Sequence, residues 1–418
     1  MPHPMISTLK ELKGNPRIAV LTEPLWGIPH FLYIPFASVY MAAFGLSDAR
    51  IGLIASLVML VRAASAALSG AVTDKLGRRM TTLVFDVLSW SVPCLLWATA
   101  QGPQAFFVAA LFNGMWEITN NSWSCLLVEE AEKRLLVHIY SWIYVGACVS
   151  VFFAPIAGLL VSGIGLVTAV RILYAFSFVL MTLKFIIMYL YSTETQIGKQ
   201  RMEETRGVPL LSVLAEYRGL LPRFFHSKEM MTAMILAILF TITGTVTESF
   251  FGIYATRTLL LPEGTLIVFP MIRSTIMLLF LFIVQPRLEK FGFRKPMLIG
   301  VALFIVGNAV LIVPPLFISV NALVLPVVYT VIQSCALALA TVRKDAIVAL
   351  SLQHEERARM TSIMTVFMLS LTTPFGSLAG ALSEMNRSFP FALNILLFAV
   401  AFAVVFFSKT IKTMGQTE

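Results

Sequence analysis

Apolar stretches long enough to cross a lipid bilayer follow one another along the entire chain, separated by short polar segments. A transmembrane helix needs about 20 consecutive, mostly apolar residues. The pattern predicts twelve such helices, over residues 17–45, 50–73, 80–100, 104–128, 137–162, 166–191, 231–256, 264–286, 296–318, 321–350, 359–382 and 388–408. With 58% hydrophobic and only 13% charged residues, a soluble protein of 418 residues could not bury its apolar surface. The predicted fold class is therefore an all-α polytopic membrane protein with twelve transmembrane helices.

The net charge of +9 lies almost wholly on one side of the predicted membrane. When both termini are placed in the cytoplasm, the only basic residues in outside segments are Arg50, Arg257 and Arg387, and nearby acids balance them. This asymmetry follows the positive-inside rule and predicts a multi-pass protein of the cell membrane with cytoplasmic termini. The basic residues therefore indicate membrane topology, and nucleic-acid binding is not expected.

The longest polar stretch, residues 192–228, divides the chain into two sets of six helices. We predict an N-terminal bundle over 1–191, a cytoplasmic linker over 192–230 and a C-terminal bundle over 231–418. The linker begins with a charged composition typical of a solvated segment. From residue 210 its apolar residues share one helical face, which predicts either a helix on the inner leaflet or a simple connector helix.

A short polar motif occurs once in each half. GAVTDKLGRR, at 70–79, lies between helices 2 and 3, and QPRLEKFGFR, at 285–294, lies between helices 8 and 9. At a constant offset of 215 residues, an acid, a lysine, a glycine and an arginine coincide in the two motifs. The two halves are therefore predicted to be structural repeats.

The motif at 70–79 resembles the helix 2–3 loop signature of the major facilitator superfamily, and the six-plus-six repeat and the long central loop agree with it. The resemblance implies a transporter with two six-helix bundles and a substrate site near the bilayer midplane. It also implies a role in balancing inward-open and outward-open states for five loop residues: Gly70, Asp74, Gly77, Arg78 and Arg79. The alternative is that this loop only anchors the topology through its basic residues.

Two arginines lie deep in the predicted membrane, Arg62 on helix 2 and Arg273 on helix 8. A guanidinium at such depth requires an oxyanion partner, supplied by a substrate or by a protein carboxylate. The arginines are therefore predicted to clamp an anionic substrate or to pair internally with Glu117 or Glu248. Either carboxylate is also a candidate for coupling transport to a proton.

Helix 4 carries an unusually polar stretch, NGMWEITNNSW, that is predicted to line a water-filled cavity. The middle of helix 1 contains a histidine that binds substrate, carries a proton or simply satisfies a hydrogen bond. The predicted substrate-binding residues are Arg62, Arg273, His30, Tyr33, Trp116, Asn120 and Asn121, and the predicted proton-coupling residues are Glu117 and Glu248.

Other charges are expected to be less important. Glu23 lies near the cytoplasmic end of helix 1, Lys184 is close enough to a helix end to snorkel, and Asp86 is expected to pair with the basic loop before it. Residues 343–345, with the sequence RKD, follow an apolar run that could already span the membrane. They therefore belong either to the interface or to the inner cavity.

These features together predict a monomeric secondary active transporter of a small molecule, an organic anion, with a proton as the coupling ion. A proton-driven multidrug efflux antiporter is the alternative, and a polytopic membrane enzyme is a more remote one. The sequence contains no HExxH motif and no phosphate-binding glycine loop, and its four cysteines lack metal-ligand spacing. No cofactor or metal is therefore expected.

Overall fold

The computed structural model describes residues 11–132, 135–209, 227–284, 292–312, 323–351, 357–409 and 411. The regular elements in these residues are all helical. The α-helices are α1 (Gly14–Thr22), α2 (Pro24–Tyr33), α3 (Ala37–Ala43), α4 (Asp48–Leu76), α5 (Arg78–Asp86), α6 (Val92–Ala98), α7 (Pro103–Asn113), α8 (Trp116–Val128), α9 (Leu136–Val151), α10 (Ala154–Ile164), α11 (Leu166–Tyr191), α12 (Gln196–Glu204), α13 (Lys228–Arg257), α14 (Val268–Leu279), α15 (Arg294–Ile312), α16 (Val324–Ser351), α17 (Arg357–Met385) and α18 (Phe389–Phe407).

Nine helical stretches of the described chain are long and apolar enough to cross a membrane. They are Asp48–Leu76, Arg78–Ala98, Trp142–Ile164, Leu166–Tyr191, Lys228–Arg257, Arg294–Ile312, Val324–Thr341, Ile363–Met385 and Phe389–Phe407. Each coincides with one of the twelve predicted helices, which confirms the all-α polytopic fold class.

The other three predicted helices are interrupted. The first divides into α1, α2, a 3₁₀ turn (Ile34–Phe36) and α3, because Pro24 begins α2 and Pro35 lies in the turn, and proline cannot donate a backbone hydrogen bond. The fourth divides into α7 and α8 at a break after Asn113. The eighth consists of a 3₁₀ turn (Glu263–Ile267), α14 and a π-helical turn (Phe280–Val284), beyond which the chain is outside the described residues.

The chain forms two compact units. The first unit contains the described parts of residues 1–34 and 60–218. Its core joins α1, the end of α8 and α9 through side chains that are almost fully buried, namely Ala19, Leu126, Leu127 and Ile139. A π-helical turn (Val87–Ser91) connects α5 and α6 within this unit.

The second unit contains the described parts of residues 35–59 and 219–418. An aromatic group at its core includes Phe304 and Phe398, whose rings stack with centroids 4.3 Å apart. The first part of α4 packs closely on α17, because a Cβ atom added at Gly52 would lie 2.4 Å from the carbonyl oxygen of Gly376. Ser56 supports this contact because its hydroxyl oxygen accepts a 2.9 Å hydrogen bond from the hydroxyl of Ser377. The division into bundles at 1–191 and 231–418 stays a prediction.

Candidate functional site

The polar residues of the predicted helix 4 lie where that helix is interrupted. Helix α8 begins at Trp116, so Glu117 lies in its first turn, where the helix dipole favours a negative charge. The carboxylate is buried, with a side-chain exposure of 8%. A local break in the chain therefore places one acid deep in the first unit.

Arg62 of α4 pairs with this acid. Its Nε and Nη2 atoms both donate to the Oε1 atom of Glu117, Nε at 2.9 Å. The guanidinium also lies over the ring of Trp116, with its Cζ atom 4.5 Å from the ring centroid. The Arg62 side chain remains 21% exposed, and its Nη1 atom donates to no described residue. The predicted internal pairing with Glu117 is thus present, and one edge of the guanidinium stays available.

An aromatic cluster in the first unit extends to Trp116. The His30 ring stacks on Trp26 with centroids 4.6 Å apart, and the Trp90 ring meets both of them edge-on. Trp90 lies in the π-helical turn, a type of distortion that often occurs at functional sites, and its ring is 6.2 Å from that of Trp116. His30 also shares a 3.2 Å hydrogen bond with the hydroxyl of Tyr33.

The indole nitrogens of this cluster are unused donors. Trp26, Trp90 and Trp116 make no hydrogen bond through Nε1 to any described residue. An indole nitrogen can only donate a hydrogen bond. Together with the free edge of Arg62, they form a surface rich in aromatic faces and donors, which suits a flat ligand with acceptor atoms.

The remaining predicted residues of the first unit lie differently. Tyr33 is almost fully buried, and its ring packs on Tyr174 with centroids 4.7 Å apart. Asn121 donates a 3.2 Å hydrogen bond to the hydroxyl of Thr73, which links α8 to α4. Asn120 is exposed. The structure therefore brings His30, Arg62, Trp116 and Glu117 together, with Tyr33 bound to His30, whereas Asn121 binds Thr73 and Asn120 is exposed.

Arg273 and Glu248 belong to the second unit. Both side chains are exposed, and neither forms an ion pair with a described residue. Helix α16 continues through residues 343–345 to Ser351, and Arg343 is buried, with Nη1 donating to the carbonyl oxygen of Leu339 at 3.0 Å. The helix therefore continues past these three residues, and their place at the interface or in the inner cavity stays a prediction.

The loop motif at 70–79 is held by an ionic network. Gly77 has φ of +80°, a conformation that favours glycine, and it separates α4 from α5. Arg78 pairs with Asp74 at 3.0 Å and with Glu129 at 3.1 Å. Arg79 donates from Nε to the carbonyl oxygen of Tyr189 at 2.8 Å. Gly70 lies within α4. In the second copy of the motif, residues 285–291 are outside the described residues.

The start of the predicted linker docks on this loop. The two carboxylate oxygens of Glu194 accept the backbone N–H groups of Arg78 and Arg79, each at 2.9 Å. The side chain of Asn15 exchanges two hydrogen bonds with the backbone of Thr193. The first residues of the predicted linker are therefore tied to the first unit, whereas most residues of 196–204 are exposed, as a solvated segment would be. Residues 210–226, with the predicted amphipathic helix, are outside the described residues.

Sequence reasoning missed a second ionic group in the first unit. Lys184 does not snorkel to the interface, since its ammonium is buried and pairs with the Oε2 atom of Glu23 at 2.9 Å. Asp86 does not pair with the basic loop, and it accepts a 2.8 Å hydrogen bond from Thr119 instead. The sequence therefore predicts Lys184, Asp86 and Glu23 near the membrane edges, whereas all three are buried in the structure.

Comparisons with known proteins agree with this architecture. The sequence profile of the Major Facilitator Superfamily matches residues 27–272, which is more than half of the chain. No curated protein sequence matches the chain. Similar solved structures include the nucleoside transporter NupG (17% identity, 97% of this chain, 100% of that chain, TM-score 0.67) and the POT family transporter PepTSo (12% identity, 94% and 97%, TM-score 0.70). The xylose transporter XylE from E. coli, in a partially occluded inward open conformation, is also similar (14% identity, 96% and 98%, TM-score 0.65). At these identities, the likeness concerns the fold alone.

Proposed function

The chain belongs to the Major Facilitator Superfamily and transports small molecules across a membrane, and we propose that its cargo is a small organic anion carried together with a proton. The observation that carries this proposal is how the guanidinium of Arg62 is paired. Its guanidinium is deep in a predicted transmembrane helix, is paired through one edge with a single oxygen of Glu117, and keeps Nη1 available.

A carboxylate is the ligand that suits this edge. Guanidinium groups bind carboxylates through two parallel N–H donors, and a site with low water content strengthens such bonds. The indole donors of Trp26, Trp90 and Trp116 can bind further acceptor atoms. A flat ring attached to the carboxylate would pack on the same aromatic faces. The favoured substrate is therefore a small carboxylate with a planar ring.

Glu117 supplies the coupling to a proton. While it pairs with Arg62, its negative charge is compensated. A substrate carboxylate that takes over the guanidinium leaves Glu117 buried without a cation, which is costly for an ionised group. Glu117 then binds a proton, so that one anion and one proton occupy the site together. Protonation of Glu117 first, which releases Arg62, reaches the same state.

The transport cycle needs a movement at the contact between α4 and α17. The sequence assigns residues 48–59 to the N-terminal repeat, yet they pack against 372–387 through small residues and the hydroxyls of Ser56 and Ser377. We propose that this contact opens and closes during alternating access in a monomeric carrier. The distribution of basic residues supports placing both termini and the 192–230 linker in the cytoplasm.

Uptake into proteoliposomes with an alkaline interior tests the proposal. Radiolabelled benzoate should accumulate beyond its passive uptake by protein-free liposomes, lactate should accumulate less because it lacks a ring, and the cationic dye ethidium should not be moved. Arg62→Lys keeps the charge but loses the two-donor geometry, so KM for benzoate should rise roughly ten- to hundredfold, equivalent to about 1.5–3 kcal/mol. Arg257→Lys, on an exposed arginine at the end of α13, is the matched control. Ethidium uptake into proteoliposomes with an acidic interior, without benzoate uptake into those with an alkaline interior, would contradict the proposal and favour a drug antiporter.

A further inference from the structure

The first unit contains a buried group of charged residues that the proposed anion site does not use. It consists of Asp86 at the end of α5, Lys184 on α11 and Glu23 between α1 and α2. Their relative exposures are 7%, 5% and 8%, so none of them is a solvated surface charge. We call these three residues the Asp86 cluster.

Only one of the two carboxylates has a cation. Lys184 directs its ammonium to Glu23 at 2.9 Å, and the rings of Trp26 and Trp123 lie on either side, each 5.8 Å from Nζ. Asp86 forms no ion pair with a described residue, and its one side-chain hydrogen bond comes from the hydroxyl of Thr119 at 2.8 Å. The ammonium is thus committed to Glu23.

Among the described residues, Lys184 and Glu23 are the charged groups that act on Asp86, and the ammonium of Lys184 is bound to Glu23. Helix α8 faces it with Thr119, and the acid on that helix, Glu117, is engaged by Arg62. The arginines at the start of its own helix, Arg78 and Arg79, are engaged by partners in the loop network.

Two acids and one base in a buried group leave one negative charge in excess. Burying an ionised carboxylate that has no cation costs several kcal/mol, whereas a protonated carboxyl group can remain with one hydrogen-bond donor and one acceptor. The group becomes neutral when one proton is added. Asp86 is the acid that needs it, because Glu23 already has the ammonium.

We propose that Asp86 holds a proton in this conformation and that the Asp86 cluster is a proton-binding site separate from Glu117. Loss of the proton would give Lys184 a second carboxylate to pair with, and a shift of its ammonium from Glu23 would couple α5, α11 and the α1–α2 junction. The use of this site in transport rests on the proposed function. The protonation of Asp86 does not rest on the proposed function, so an experiment can refute either one without refuting the other.

Infrared spectroscopy of the purified full-length protein in lipid tests the protonation directly, without any substrate. Wild-type protein at neutral pH should show the carbonyl stretching band of a protonated carboxyl group, and Asp86→Asn should remove it. Asp48→Asn is the matched control, because Asp48 is also a buried aspartate but pairs with Arg387 at 3.2 Å and Ser383 at 2.7 Å. That variant should keep the band.

Two further variants keep the test decisive if Asp86→Asn folds poorly. Thr119→Val removes the hydrogen bond to Asp86, so the band should stay but move in frequency. Lys184→Gln removes the cation, so Glu23 should also become protonated and the band should grow. A wild-type protein without the band at neutral pH would overturn the proposal, and so would a band that Asp86→Asn and Thr119→Val leave unchanged.

Discussion

Replacing Glu194 by alanine should release the start of the linker from the loop at 70–79. Helix α5 begins after Gly77, which has no side chain to cap the free N–H groups of the first turn. Glu194, 116 residues from Arg78 along the chain, accepts the N–H groups of Arg78 and Arg79 at 2.9 Å each. A carboxylate at this position also interacts favourably with the helix dipole. Glu194 therefore acts as a cap supplied from a distant segment.

The expected loss follows from these two bonds. A hydrogen bond to a charged group contributes about 1.5–3 kcal/mol, while replacing a helix cap costs about 0.5–2 kcal/mol, since water takes over part of the bonding. Because Glu194 is partly exposed, the range for a helix cap applies. We expect Glu194→Ala to lower the free energy of opening of the docked segment by about 2 kcal/mol. That corresponds to a roughly 30-fold increase in the open population of the docked segment.

Hydrogen–deuterium exchange measured by mass spectrometry is the suitable assay. Peptides that cover 78–82 and 195–205 should exchange faster in Glu194→Ala, and Glu194→Gln should lie between it and the wild type because its amide oxygen still accepts one bond. Glu130→Gln is the control, since Glu130 is exposed and accepts only a long, 3.3 Å bond from Gln196. Equal exchange in wild type and Glu194→Ala, or an equal change in the control, would refute the reasoning.

Two further predictions concern packing and the loop network. Glu129→Ala should reduce transport more than Asp74→Ala. Glu129 binds Arg78 through both carboxylate oxygens and also accepts a hydrogen bond from Thr195, whereas Asp74 makes a single ion pair with Arg78. Benzoate uptake, normalised to protein level, compares the two variants, and the reverse order would contradict this ranking. Gly52→Ala should lower thermal stability or block transport, because the added Cβ would lie 2.4 Å from a backbone oxygen. Gly244→Ala, at a helical glycine with open space around it, should be nearly neutral, and a thermal-shift assay in which both variants behave alike would be inconsistent with the close contact.

The sequence predicts the membrane-spanning helices well, but it does not predict which side chains pair across long distances along the chain. Hydrophobic runs located the nine long apolar spans of the described chain, because the bilayer fixes the length of a helix. The prolines of the first span were visible, but their effect on helix continuity depends on which freed carbonyl groups find other partners. The break before Trp116 carried a weaker signal, a glycine at 114.

The candidate site shows the same limit. The depth of Arg62 and the matching Arg273 in the other half mark it as a candidate, and the sequence offers two partners for it, Glu117 and Glu248. Lys184 was misjudged because its partner, Glu23, is 161 residues away, and a lysine near a helix end normally snorkels. The docking of Glu194 was missed for a similar reason, since a charged segment after a long helix is typical of a solvated linker. Local composition cannot show that a charge has a distant partner.

The direct test of anion and proton coupling at Arg62 is the proton uptake that accompanies anion binding. Benzoate is added to purified protein in weakly buffered lipid, and the pH change is recorded together with the binding isotherm. Wild-type protein should take up about one proton for each benzoate bound, because Glu117 loses its guanidinium. Glu117→Gln should bind benzoate at least as tightly and take up none. Benzoate binding without proton uptake in the wild type, or equal uptake in Glu117→Gln, would contradict the account.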